Sequence, residues 1–183
     1  MDTNRLSKTI AETLNGQMTN EASAAQIYLS YAAWADHKGF EGIANFLFRH
    51  AQEERNHMMK ILEYILERGA KVKITDIPAP GVDPENINDC FEKIFKQEVE
   101  NTKAIYGLTK MCLDEQDWAT WNFMQWFVKE QTEEETLAMK LLAKIKISGG
   151  EHAKPDALYQ LDHDLATTPD DAMPAESVTT DNP

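Results

Sequence analysis

Apolar residues along this chain recur in steps of three and four over long proline-free stretches, a period that predicts helices. Proline is absent before Pro78, clusters at Pro78, Pro80 and Pro84 around Gly81, and next appears at Pro155. Proline inside a helix removes a hydrogen bond and clashes with the preceding turn, so intervals without it are what long helices need. The first interval divides at Asp36-His37-Lys38-Gly39, where glycine supplies the left-handed backbone of a helix end. The spacing predicts a first helix over residues 4–37 and a second over residues 40–68, closed by Gly69. A third covers residues 84–113, with Pro84 in a first turn that tolerates it. The polar turn Asp114-Glu115-Gln116-Asp117 leads into a fourth that runs to Ser148, before Gly149 and Gly150. The amphipathic segment 155–165 predicts a short fifth helix.

The connections set the topology. Tight turns join the first helix to the second and the third to the fourth, so each pair is antiparallel. The second and third are joined by roughly 15 residues, which reach roughly 50 Å when extended. A helix of about 28 residues is about 42 Å long. The connection therefore spans the full length of a bundle and leaves the second and third helices parallel, the one-crossover topology of ferritin-like folds rather than of simple up-and-down bundles.

Each apolar stripe is broken near its middle by polar ligand types. The second helix reads Ile43, Leu47, His50, Glu54, His57, Ile61, Ile65, which places a carboxylate and an imidazole one turn apart on the core face. Glu21 falls on the stripe of the first helix between Leu14 and Tyr28, and Glu98 on that of the third between Ile94 and Ile105. Gln131 and Glu134 fall on that of the fourth, between Phe127 and Ala138. One unpaired buried carboxylate costs several kcal/mol, and four facing one another force proton uptake. Two divalent cations balance four carboxylates, and an oxygen-rich set with one imidazole suits iron or manganese better than thiolate-rich sites do.

Composition narrows the partners. The 183 residues suffice for one domain, and a net charge of -13 argues against nucleic acid and anionic membranes while attracting cations. Cys90 and Cys112 form no C-x-x-C pair, which predicts two reduced thiols packed in helices. No run approaches the roughly 20 apolar residues of a membrane span, and residues 1–13 hold no apolar core of a secretory leader. The expected location is cytoplasmic. Residues 1–166 are expected to form the bundle domain, and the polar, proline-bearing residues 167–183 a disordered acidic tail.

The chain resembles bacterial non-haem ferritin over residues 6–165. The resemblance is carried by Glu21 with Tyr28 seven residues on, Phe40-Glu41-Gly42, His50-Ala51-Gln52-Glu53-Glu54 through His57-Met58, and Glu98. It continues in Asn122-Phe123-Met124-Gln125-Trp126, Glu130-Gln131 and Glu133-Glu134-Glu135. It implies a ferroxidase with two irons. Glu21, Glu54 and His57 would hold the first, and Glu54 would bridge to a second held by Glu98 and Glu134 with Gln131 beside them. Glu53, Glu130 and Glu133, with Glu134, look like the family's third iron site, and Tyr28 and Trp126 like its redox-active aromatic neighbours. The same resemblance implies Fe(II) oxidised by O2 or H2O2, mineral deposition, and a hollow homo-oligomeric shell of 24 subunits closed by symmetry.

Departures from neighbouring families also discriminate. Bacterioferritin repeats Glu-x-x-His on its last helix, where this chain has Gln131-x-x-Glu134. Bacterioferritin also sets its haem-ligating methionine two residues before the counterpart of His57, where Arg55 stands here, so no haem is expected. Rubrerythrin needs a C-x-x-C iron module that the sequence lacks. Two other functions stay open at this point: a di-iron oxygenase acting on an organic substrate in an apolar pocket, and a DNA-protecting miniferritin, which ligates iron between subunits.

Overall fold

The computed structural model describes residues 3–167, so the expected acidic tail beyond them lies outside the described residues. The elements are α1 (Lys8–His37), α2 (Glu41–Glu67), α3 (Ile87–Asp114), α4 (Trp118–Ile147), a 3-10 turn (Gly150–His152) and α5 (Pro155–Thr167). No strand occurs among the described residues. The bundle is all-α, as the periodicity predicts.

Side-chain caps set the helix starts. α1 begins four residues later than its apolar pattern predicts, because Ser7 Oγ accepts from the Ile10 amide at 3.1 Å while Asn4 turns the preceding segment back onto the Leu6 amide. α3 begins at Ile87 rather than Pro84 for the same reason, with Asn86 Oδ1 accepting from the Asp89 amide at 2.9 Å. Asp117 caps α4 through the Thr120 amide at 3.0 Å. Gly69 ends α2 with φ +72°.

The crossover is tied along α1. Asn15, buried on α1, donates to the Lys71 carbonyl at 3.2 Å and accepts from the Lys73 amide at 2.6 Å, and Thr19 meets Thr75 one turn further on at 3.0 Å. The loop thus advances in the same sense as α1, against α2, and delivers α3 parallel to α2. Phe46 against Phe91 near the start of both helices agrees with that direction.

The core is split in two. Tyr28, Phe46, Leu47, Phe91, Leu141 and Ile145 belong to one apolar cluster, and Leu14, Ile61, Ile65, Ile105, Leu108 and Phe127 to another. Cys90 lies in the first and Cys112 in the second, both free, with burial pushing each thiol up to about 12. Between the clusters runs a belt of buried polar side chains, which forms the site described below.

α5 covers the start of α2. Phe40 precedes α2 without offering a side-chain cap, and Asp162 Oδ1 supplies one by accepting from the Ile43 amide at 2.8 Å. Leu161 and Leu165 complete the first apolar cluster. The approach is so close that a Cβ on Gly42 would sit 1.9 Å from the Asp162 carbonyl oxygen. Gly42→Ala is therefore expected to lift α5 from α2 and to cost about 1–3 kcal/mol. Chemical denaturation reads the loss, and faster proteolysis of the α4–α5 connection reads the detachment; an unchanged midpoint with α5 still protected contradicts it.

Candidate metal centre

Glu21, Glu54, His57, Glu98, Gln131 and Glu134 are all buried at the same level of the bundle, as their positions on the four stripes predict. Helical spacing puts them there, since each lies a whole number of turns from apolar residues that must face the core. Glu21, Glu54 and His57 each offer a donor atom within 4.8 Å of the others. His57 Nδ1 lies 3.4 Å from Glu54 Oε2 and 4.0 Å from Glu21 Oε2, and Nε2 lies 3.9 Å from Glu130 Oε1.

Glu98 faces them from α3. The Tyr28 hydroxyl donates to its Oε1 at 2.8 Å, and Gln131 Nε2 donates to its Oε2 at 3.3 Å. Glu134 is close enough for the charge of Glu98 to oppose its ionisation.

Burial dominates the electrostatics. It pushes the Glu98 carboxyl up to about 7, against the hydrogen bonds from Tyr28 and Gln131 that favour the ionised form. Burial raises Glu54 well above the usual carboxylate range, and the negative charges of Glu98 and Glu21 add to it. Glu134 is raised the same way, with Glu98 the leading charge, and Glu21 is raised by burial against its bonds to Glu54, Gln17 and Asn101. Burial lowers His57 to about 4, with Lys60 and His50 adding to it, so its imidazole is neutral at physiological pH and holds a lone pair for a metal. Burial and the charge of Glu98 keep the Tyr28 phenol protonated and donating.

No lysine or arginine is buried among the described residues, so no cationic side chain neutralises this belt from within. Oε2 of Glu54 is a buried atom that receives no hydrogen bond. Hard oxygen donors, one neutral imidazole and an unmatched demand for positive charge fit divalent iron.

The third-site residues divide. Glu53, His57 and Glu130 form a second group with donor atoms within 4.8 Å of one another, and His50, Glu53 and Glu134 form a third group. Glu133 falls in neither: its Oε1 lies 3.1 Å from Lys129 Nζ at the rim. Trp126 stands edge-on to His57 with ring centroids 5.4 Å apart, and Lys60 Nζ lies 4.2 Å over the indole.

The stripes did not single out Gln17, Asn101 or His50 as part of the site. Gln17 Nε2 donates to Glu21 Oε1 and to Asn101 Oδ1, both at 2.6 Å. His50 packs its ring at 4.1 Å from that of Phe46 and engages the Phe46 carbonyl through Nδ1 at 3.0 Å. A signal existed for all three: each lies three or four residues from a carboxylate already on the core face.

An all-α bundle with one full-length crossover, and carboxylates from all four helices buried in one belt with an imidazole, has the architecture of the ferritin-like carboxylate proteins. The description "Ferritin-like domain" matches residues 11–148, and the chain belongs to the ferritin family. It is 37% identical over 162 residues to the bacterial non-heme ferritin of Staphylococcus aureus, covering 88% of this chain and 96% of that one. It is 38% identical over 157 residues to that of Campylobacter jejuni, covering 86% and 92%. Among solved structures it resembles an open-pore ferritin from the archaeon Archaeoglobus fulgidus, with a TM-score of 0.86, 35% identity, and coverage of 90% and 99%.

Proposed function

We propose that this chain stores iron, oxidising Fe(II) at the carboxylate belt and passing Fe(III) to a mineral enclosed by a shell of 24 copies. The observation that carries the reading is the belt itself: Glu21, Glu54, Glu98, Glu134 and His57 buried together between two apolar clusters, with no lysine or arginine buried among the described residues. Glu21, Glu54 and His57 hold one Fe(II). Glu54 is shared with a second, held by Glu98 and Glu134. Glu53 and Glu130 lead outward from His57 toward Glu133, the path of a third ion. Two Fe(II) give one electron each to O2, which takes up two protons and leaves as H2O2; H2O2 itself accepts two electrons and two protons to give water. Carboxylates favour this because anionic oxygen stabilises Fe(III) more than Fe(II).

The cavity beside Tyr28, His50 and Glu134 encloses at most about 200 Å³, below the roughly 300–1,000 Å³ of small-molecule sites, which disfavours an organic substrate. Ligands from all four helices of one chain disfavour sites built between subunits, as in miniferritins. Among the described residues no helix is long and apolar enough to cross a membrane.

Aerobic Fe(II) titration followed by gel filtration tests the reading. The expected result is a large assembly whose iron content climbs far beyond what its ligands can hold, with mineral particles inside. Uptake that stops at the few ions bound by the ligands, with no particles, rules out storage.

A further inference from the structure

Beside Glu21, a run of three side-chain amides crosses the bundle from α1 through α3 to α4. Gln17 Nε2 donates to Asn101 Oδ1 at 2.6 Å. Asn101 Nδ2 then donates to Glu21 Oε2 at 3.3 Å and to Gln131 Oε1 at 3.4 Å. Gln131 Nε2 donates in turn to the Glu98 carbonyl at 3.2 Å, to Thr102 Oγ1 at 3.2 Å and to Glu98 Oε2 at 3.3 Å. Every amide in the run has one orientation that suits all its partners. Glu98 offers its carbonyl and a carboxylate oxygen to the nitrogen of Gln131, and Asn101 offers a nitrogen to the oxygen.

An amide ligates a metal through its oxygen, and the oxygen of Gln131 is the atom that Asn101 engages. We infer that Asn101 is a positioning residue: it holds Gln131 with its nitrogen on Glu98 and its oxygen occupied by the Asn101 amide, so that Gln131 orients a metal ligand rather than being one. The same amide steadies Glu21 from the opposite side, so one half-buried side chain on α3 orders carboxylates on α1 and, through Gln131, on its own helix. This inference rests on the metal-centre reading above. It adds which of two amide faces the centre meets, and why.

The test uses the full-length assembled protein with Co(II) as the probe, in crystals and by visible absorption. In the unaltered protein Co(II) is expected among Glu21, Glu54, His57, Glu98 and Glu134, with Gln131 outside the coordination sphere. In Asn101→Leu and Asn101→Ala the Gln131 oxygen loses its hydrogen-bond donor, and it is expected to turn to the metal at about 2.0–2.2 Å, the range of metal–oxygen bonds. The Co(II) absorption bands shift with the added ligand, and Gln131→Leu in the Asn101→Leu background removes that shift. Asn101 is half-buried at the margin of the belt, and the pair of variants, one filling and one emptying its place, separates orientation from packing. Co(II) bound to Gln131 in the unaltered protein, or the same spectrum and Gln131 position in both variants, overturns the inference alone. No Co(II) at the belt in any form overturns it together with the metal-centre reading.

Discussion

Glu54→Gln is expected to lose Fe(II) oxidation and, in the iron-free protein, to gain stability. Both follow from one feature, a buried carboxyl that the proposed function shares between two irons and whose Oε2 no hydrogen bond reaches. Groups that merely support a metal ligand already cost about 10- to 100-fold when removed. A direct ligand common to two ions is expected to cost about 100-fold or more in the initial oxidation rate. Without metal the same carboxyl is a liability, because burial and the charges of Glu98 and Glu21 make it hold a proton that the unfolded chain, with its carboxyl at the ordinary 4.5, has already lost at neutral pH. Glutamine has nearly the same shape and no such demand, so the iron-free variant should be about 1–3 kcal/mol more stable. At about 2–4 °C per kcal/mol for a chain of this size, calorimetry at pH 7 resolves it. An oxidation rate within a few-fold of the unaltered protein, or a lower melting temperature without iron, contradicts this account of Glu54.

The opposed effects explain why the site was legible from sequence. A core position that stabilises the fold is apolar and vanishes into the stripe. Glu54 and His57 interrupt a stripe that is otherwise Ile43, Leu47, Ile61 and Ile65, and the bundle keeps all of these buried. Three more interruptions on three more helices, at matching depth, left metal as the economical explanation. The topology was legible because the reach of the long connection depends on its length alone. What the pattern missed lay elsewhere. The starts of α1 and α3 are set by Ser7 and Asn86, whose caps override an apolar period that begins earlier. Asp162 capping α2 from α5 joins residues distant in sequence, and no local pattern reports it. Asn101 is half-buried and polar, and on its own helix only the spacing of three from Glu98 marks it. Its meaning comes from Gln17 and Gln131 on two other helices.

Iron-free stability should fall as pH rises through the neutral range, and stabilisation by bound metal should grow over the same interval. Glu98 carries the sign. Its carboxyl is raised from 4.5 to about 7 in the fold, so the fold holds a proton that the unfolded chain has released. Its favourable contribution is fully present below pH 4.5 and is lost as pH rises through 7, about 3 kcal/mol in all. Glu21, Glu54 and Glu134 move in the same direction. His57 acts oppositely: lowered from 6.5 to about 4, it contributes stability above pH 6.5 that disappears as pH falls through 4. One imidazole against four carboxyls leaves the carboxyls dominant between pH 5 and pH 7.5. Metal must displace the protons they hold, so affinity rises with pH as the competition weakens. Melting temperatures measured with and without saturating Zn(II) across that range should therefore diverge, the iron-free curve descending and the gap widening. Glu98→Gln should flatten the iron-free curve while Asp89→Asn, at a surface carboxylate whose shift is downward, should not. Parallel curves, with and without Zn(II), would mean that these carboxyls do not face one another across the core.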